Sequence, residues 1–221
     1  MTDYDLAIIG GGLNGVSLAR DAAGRGLRVI LVEQGDLGGA ASAASGRLIH
    51  GDPALLERRA FSQVRAALAE RDTWLRIAPH LVRPMRFVIP AHSEERPLWL
   101  LRLGLILYDR MSPDRGLPPS QTIDITHHPI GHALQRPIGT AFEYSDCLVD
   151  HSRLVIANAV DAAERGAVIR TGARCVRADR LDVWRLVVID RGHRRVITAR
   201  SLANTAGAWT GMAGHDSRLR R

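Results

Sequence analysis

Residues 4–34 read YDLAIIGGGLNGVSLARDAAGRGLRVILVEQ. A short apolar run, Asp5 to Ile9, ends in glycines; Leu13 to Arg25 then carries apolar residues at helical spacing, and Leu27 to Val32 is a second apolar run. That order predicts a β-α-β unit. Gly10, Gly12 and Gly15 form G-x-G-x-x-G between strand and helix, with Gly11 completing a triplet and Ala19 small where the helix must pack on the sheet. In a dinucleotide site each has a physical reason. Gly10 permits the tight turn, Gly12 lets the backbone approach a pyrophosphate, and Gly15 removes a side chain between helix and strand. The N–H groups at the helix start are then free to receive phosphates. Glu33 closes the second strand, where a carboxylate accepts hydrogen bonds from ribose hydroxyls and repels a 2′-phosphate. A glycine turn in an unrelated α/β protein is the bland alternative. The joint pattern favours a dinucleotide with a free 2′-hydroxyl, FAD or NAD, over NADP. Near the other end, SLANTAGAW (Ser201 to Trp209) is a strand running into Ala206-Gly207. Such a second approach to the pyrophosphate is a flavoprotein habit.

The 221 residues suffice for one large α/β domain or two small ones. The longest apolar run, Leu98 to Tyr108, is interrupted by Arg102 and too short to span a bilayer. The N-terminus lacks the basic and apolar regions of a secretory signal, so a cytoplasmic chain is expected. Cys147 and Cys175 are far apart, giving neither a disulfide framework nor a zinc site. The net charge of +7 is carried by Arg alone, since the chain contains no Lys. That excludes a Walker A lysine and a pyridoxal Schiff base.

Further along, Gly38 to Gly46 (GGAASAASG) is small and polar, which suggests close packing against something. Pro53 to Ala78 reads as one long helix ended by Pro79, and Met85 to Ile89 as a strand closed by Pro90. Leu98 to Tyr108, apolar nearly all round, is either a buried helix or one lying on a membrane surface. Met111 to Pro137, rich in Pro, Gly and Ser, reads as loops. Arg153 to Arg165 is an amphipathic helix; Ala167 to Thr171, Trp184 to Asp190, Arg195 to Thr198 and Leu202 to Thr205 are strand-like. His127, His128 and His132 lack the ligands that would make them a metal site and read as a solvated loop. Asp146 and Asp150 read as caps of the helix beginning near His151, and Cys147 as a packing residue.

Several blocks in one order carry a family resemblance: the glycine fingerprint, SAASGRLIHG (42–51), ALAERDTWLRIAPHLVRPMRFVIP (67–90), RPLWLLRLGLILYDR (96–110), FEYSDCLVDHSRLVIANA (142–159) and NTAGAW (204–209). Together they resemble the N-terminal part of the FAD-dependent, respiratory-type glycerol-3-phosphate dehydrogenases. The resemblance implies an α/β fold, the Rossmann-like, glutathione-reductase-type FAD domain of the D-amino-acid-oxidase-like group, with part of a substrate domain, truncated. It implies one FAD-dependent oxidoreductase domain: residues 1–50 as dinucleotide-binding unit and flavin loop, 51–145 as a helical and loop insertion, 146–209 as the return, and 210–221 as an atypical tail. It implies oxidation of sn-glycerol 3-phosphate at C2, hydride transfer to the flavin, and electrons passed to quinone. By the same resemblance Gly10, Gly11, Gly12, Asn14 and Gly15 hold the pyrophosphate, and Glu33 with Gln34 the adenosine ribose. Ser42, Ser45, Gly46 and Arg47 line the flavin, with Arg47 where the family usually has Lys. Val176 presents its backbone to adenine, Ala206 and Gly207 close over the cofactor, and His50 is the one candidate for a catalytic role.

The departures are as informative. After His50-Gly51 the family continues Gly-Leu-Arg-Tyr-Leu-Glu, whereas this chain reads Asp52-Pro53-Ala54-Leu55-Leu56-Glu57. Ala54 thus stands where an Arg meets the substrate phosphate, and Leu55 where the family has Tyr. Three readings follow: a glycerol-3-phosphate dehydrogenase docking on the inner membrane face through Leu98 to Arg110; a non-catalytic flavin-binding remnant; and an RNA-acting flavoprotein, for which no clustered basic and aromatic stripe speaks. The partners expected are glycerol 3-phosphate and a quinone, with no nucleic acid, and a homo-oligomer or a polypeptide carrying the missing C-terminal part.

Overall fold

The structure, a computed structural model, describes residues 2–90, 97–114, 116–134 and 139–211. Residues 212–221, most of the atypical tail, lie outside the described residues, as do Arg115 and residues 135–138 of the segment read as loops. Contacts divide the chain into two units: Met1–Gly46 with Asp150–Arg221, and Arg47–Val149.

The first unit starts as the opening stretch predicts. Strand β1 (Tyr4–Ile9) leads into helix α1 (Leu13–Gly24) and back to β2 (Val29–Val32), which pairs parallel to β1 in the register Leu6–Val29 to Ile9–Val32. The helical stripe of α1 is made of small residues, with Val16 and Ala19 fully buried against Ile8, Val29 and Leu31. After the second unit's sequence the chain returns through helix α5 (His151–Glu164), whose Val155, Ala159 and Ala162 join the same cluster. Strands β7 (Val168–Arg170), β8 (Ala173–Arg180), β9 (Trp184–Asp190) and β10 (His193–Asn204) follow, and among the described residues the sheet runs β7-β2-β1-β10-β9-β8. Its other face is covered by the β8-β9-β10 meander, whose Ala178, Leu186, Val188 and Ile197 pack with Ala7, Ile30 and Val32. β2 is therefore buried on both faces, which is why VILV carries no polar residue. The two strand-like runs at Arg195 and Leu202 are one continuous strand, because β10 exchanges neighbours without breaking.

The second unit is built on a strand that the sequence reading passed over. β6 (Thr140–Val149) pairs antiparallel with β4 (Val82–Pro90) along its length, and also with β3 (Leu48–Ile49) and β5 (Gln121–Asp124). Helices α2 (Ala54–Glu57), α3 (Phe61–Ile77) and α4 (Leu98–Met111) complete it. The single helix read over Pro53 to Ala78 is thus two. The break has a local cause: Arg59 adopts a φ of 55°, and the N–H groups of Arg59 and Ala60 turn back to the carbonyls of Leu56 and Leu55. The segment read as loops holds β5 and a short 3₁₀ turn at Pro129–Ala133, which the His128 ring caps. Among the described residues no helix is long and apolar enough to cross a membrane. On α4 only Leu105 and Tyr108 are buried, while Trp99, Leu103 and Leu107 are 67%, 54% and 40% exposed.

Candidate cofactor site

The glycine turn is held by backbone geometry that side chains would destroy. Gly10 has a φ of 107°, and a Cβ there would lie 2.7 Å from the Thr205 carbonyl oxygen. At Gly15 a Cβ would lie 1.9 Å from the Gly10 carbonyl oxygen, so helix and strand could not meet. Thr205, which the sequence reading did not single out, pins the turn. Its N–H donates to the Ile9 carbonyl, and its hydroxyl lies 2.9 Å and 3.0 Å from the Ile9 and Gly10 carbonyls.

Gly12 differs from both. A Cβ at Gly12 would meet only the Ser42 Oγ, at 3.3 Å. The fold therefore tolerates a side chain there, and the bareness of Gly12 serves the space in front of it. That space is a cavity of about 490 Å³, lined by Gly10, Gly12, Asn14, Glu33, Gln34, Ser42, Val176, Ala206 and Gly207 among others. The first turn of α1 holds no acidic residue, and its N-cap, Gly12, offers no side chain. Ser42 accepts from the Leu13 N–H at 3.0 Å, while the N–H groups of Asn14 and Gly15 have no partner among the described residues. A helix dipole with open amides at the wall of a cavity fits a diphosphate.

Glu33 stands at the end of β2. Its carboxylate accepts from the Gly11 N–H at 2.7 Å and from the Gly35 N–H at 2.8 Å, one oxygen to each. Each oxygen retains a lone pair for a hydroxyl donor. Val176 sits at a register shift in β8, where Cys175 pairs with Val188 but Arg177 with Val187. The bulge leaves the Val176 backbone out of the ladder. The residues present thus fit an adenine dinucleotide along its whole diphosphate and adenosine side.

Ser45 and Gly46 do not line this cavity; the Ser45 hydroxyl is in contact with His151 Nδ1. Arg47 and His50 belong to the second unit. There the Asp52 N–H donates to His50 Nδ1 at 3.1 Å, so in the neutral ring the proton resides on Nε2. Gly51 is fixed by the Tyr108 hydroxyl, which accepts from its N–H at 2.7 Å and donates to Asp146 Oδ2 at 2.7 Å. Asp146 also pairs with Arg71 at 2.8 Å, and Arg71 with Asp72 at 3.0 Å. Asp146 is therefore no helix cap; it lies within β6 at 1% exposure, and Asp150 alone caps α5 by accepting from the Arg153 N–H. Burial pushes the Asp146 carboxyl above the usual aspartate range, against the pull of Arg71 and Tyr108. Burial likewise raises the thiols of Cys147 and Cys175 to about 11, keeping them protonated. Arg71 and Asp72 carried a sequence signal: they interrupt the apolar stripe of α3 one turn after Leu68.

Residues 5–221 match the FAD dependent oxidoreductase family. The chain belongs to that family. FAD is the family's cofactor, and the α/β, FAD-binding fold expected from the resemblance is the fold observed. The chain is 47% identical over 208 residues to the D-erythritol 1-phosphate dehydrogenase of Brucella abortus, covering 93% of this chain and 41% of that protein. It is 48% identical over 208 residues to the glycerol-3-phosphate dehydrogenase of Pseudomonas aeruginosa, covering 93% and 40%. Among solved structures it is similar to the L-alpha-glycerophosphate oxidase of Mycoplasma pneumoniae with FAD bound, with a TM-score of 0.72 at 17% identity, covering 97% of this chain and 57% of that one. The chain spans about two-fifths of the length of the two curated relatives.

Proposed function

We propose that this chain is the cofactor-binding portion of an FAD-dependent dehydrogenase that oxidises a polyol phosphate, foremost sn-glycerol 3-phosphate to dihydroxyacetone phosphate, with electrons passing to quinone. The observation that carries this reading is the 47% and 48% identity to two polyol-phosphate dehydrogenases across 93% of the chain. FAD, when bound, supplies the hydride acceptor for the alcohol carbon. In this reading the open amides of Asn14 and Gly15, with Gly10, Gly11 and Gly12, receive the diphosphate, and Glu33 and Gln34 the ribose. Val176 offers its backbone to adenine, Ala206 and Gly207 close the far wall, and Ser42, Ser45, Gly46 and Arg47 serve the flavin end. His50, with its Nδ1 already accepting from Asp52, acts as a hydrogen-bond donor through Nε2 to a substrate oxygen. Residues 1–50 and 146–209 hold the cofactor in this scheme, and 51–145 belongs to the substrate side. The exposed stripe of Trp99, Leu103 and Leu107 on α4 suits a peripheral membrane contact.

The test begins with the visible spectrum of the purified chain and its flavin content after denaturation, followed by dye-coupled turnover. Near-stoichiometric FAD with turnover of glycerol 3-phosphate supports the proposal. A colourless protein that takes up no added FAD overturns it. Ala54 and Leu55 favour a second reading, a flavin-binding module without turnover, since loss of a charged phosphate contact costs about 2 kcal/mol, roughly thirtyfold in affinity. Bound FAD with no turnover of either glycerol or erythritol phosphate selects it.

A further inference from the structure

The three residues after β3, His50 to Asp52, are held by side chains from distant parts of the second unit. The β3–β6 register pairs Leu48 with Leu148 and Ile49 with Cys147, and its next step brings His50 beside Asp146. The charges of those two groups act on one another. Gly51 is buried between α3 and α4: an added Cβ would lie 2.8 Å from Leu68 Cγ and 2.8 Å from the Tyr108 hydroxyl. That hydroxyl accepts from the Gly51 N–H at 2.7 Å, which anchors the peptide joining His50 to Gly51. Asp52 then takes a φ of 52°, a left-handed conformation that a residue with a side chain adopts at a cost and keeps only where its surroundings enforce it. In that conformation the Asp52 N–H donates to His50 Nδ1 at 3.1 Å, while its carboxylate turns to the Ala54 N–H at 3.2 Å. The imidazole thus takes its partner from the main chain and not from the acid.

Behind Tyr108 lies an ionic network that stability alone does not explain. Tyr108 donates to Asp146 Oδ2 at 2.7 Å, and Arg71 donates to Asp146 Oδ1 at 2.8 Å. Arg71 also meets Asp72 at 3.0 Å and the Ser112 hydroxyl at 3.0 Å. Arg71, Asp72 and Asp146 are all buried, one guanidinium against two carboxyl groups. Apolar side chains of equal volume often match or exceed the stability of such networks, whereas a fully bonded polar network fixes geometry. Here the geometry it fixes ends at one hydroxyl. Tyr108 accepts from Gly51 and donates to Asp146, so neither its ring nor the peptide it holds can shift without breaking a buried bond. The Tyr144 ring, edge-on to Tyr108 with centroids 6.1 Å apart, packs against it from β6.

We propose that Tyr108 and Asp146 are positioning residues for His50: through Gly51 they hold the turn whose Asp52 amide keeps the imidazole in its Nε2–H form. This role rests on the reading of His50 as the substrate-side donor and extends it to the side chains that set the tautomer of the ring. Neither Tyr108 nor Asp146 needs to touch substrate, because their effect passes along the peptides of Gly51 and Asp52.

The experiment records the ring nitrogen and proton resonances of His50 in the full 221-residue chain at about pH 8.5, above the ordinary histidine range. The unaltered chain should show a single Nε2–H tautomer. Tyr108→Phe and Asp146→Asn should each move the ring toward a mixture of the two tautomers in molecules that are still folded. Val64→Ala is the comparison: Val64 packs in the same cluster as Tyr108, and its truncation should lower the melting temperature without touching the His50 resonances. A purely structural role predicts that all three variants lose stability and none changes the tautomer. That result overturns the proposal, as does an Nδ1–H or mixed ring in the unaltered chain. If neither network variant folds, the unaltered chain decides on warming below its melting point. The Gly51 amide should lose its protection from exchange over the same interval in which the tautomers begin to mix, and mixing while that amide stays protected refutes the coupling. Where the chain turns over a polyol phosphate, Tyr108→Phe should lower kcat by roughly tenfold or more, with KM changed far less. An unchanged kcat sinks the positioning role and leaves the function standing; absent turnover with the expected ring spectra sinks the function and leaves the positioning role intact.

Discussion

Gly12 and Gly15, read from the motif as serving a pyrophosphate and helix–strand packing respectively, differ in what an added side chain would meet. At Gly15 an added Cβ collides with the Gly10 carbonyl at 1.9 Å, and at Gly12 it meets only a hydroxyl at 3.3 Å. Gly15→Ala should therefore lower stability by about 1–3 kcal/mol or more through overpacking and abolish flavin retention. Gly12→Ala should keep the urea midpoint within roughly 0.5 kcal/mol yet lose FAD, as read by flavin content. Equal effects of the two would show that Gly12 is structural. In the second unit, Tyr108→Phe removes one hydroxyl that both accepts from Gly51 and donates to Asp146. Leaving a buried donor and a buried carboxylate short of partners costs about 2–4 kcal/mol, measurable by denaturant titration. Conventional core truncation is not involved, since the ring stays. The Tyr108 contacts were not legible beforehand: Tyr108 reads as one more apolar residue of α4, and its partners lie 57 and 38 positions away.

At the scale of elements, local signals worked where local physics dominates. The strand, glycine turn and helix of residues 4–32 follow from hydrophobic period and turn chemistry, and Asp150 caps α5 as its position before an amphipathic run suggests. Asp150→Ala should cost about 1 kcal/mol of stability, seen as a lowered thermal midpoint. Where the signal is tertiary, it was missed. β6 carries Glu143, Asp146 and Ser145 within ten residues, and those polar groups are tolerated because Arg86 and Arg71 come from other elements to meet them. Arg28, the residue before β2, pairs with Asp5 of β1 at 3.0 Å and lowers the Asp5 carboxyl to about 2. A carboxyl depressed in the folded state stabilises above its unfolded value near 3.8 and loses that contribution as pH falls toward 2. Acid unfolding between those limits should thus be less steep in Asp5→Asn, and thermal melts across pH 2–4 would check it, a coincident profile sinking the assignment.

For the whole molecule, binding of FAD by the folded chain alone should raise its melting temperature. Saturation at a hundred times the dissociation constant is worth about 2.7 kcal/mol, and calorimetry with and without added FAD reads it; no shift, together with no retained flavin, would show that the cradle is not self-sufficient. The opening 31 residues and SLANTAGAW, separated from them by 166 residues, were enough to indicate a dinucleotide-binding, FAD-type fold. They sufficed because each demand there is local: a bare turn, open amides at a helix start, a carboxylate at a strand end. The register that sets Gly10 against Thr205, the bulge that frees Val176, the two helices within 53–78, and the Arg71–Asp146–Tyr108 network behind Gly51 arose only in the tertiary structure. Those features depend on which distant segment supplies the missing hydrogen-bond partner or fills the adjoining volume, and no window of sequence contains both sides of such a contact.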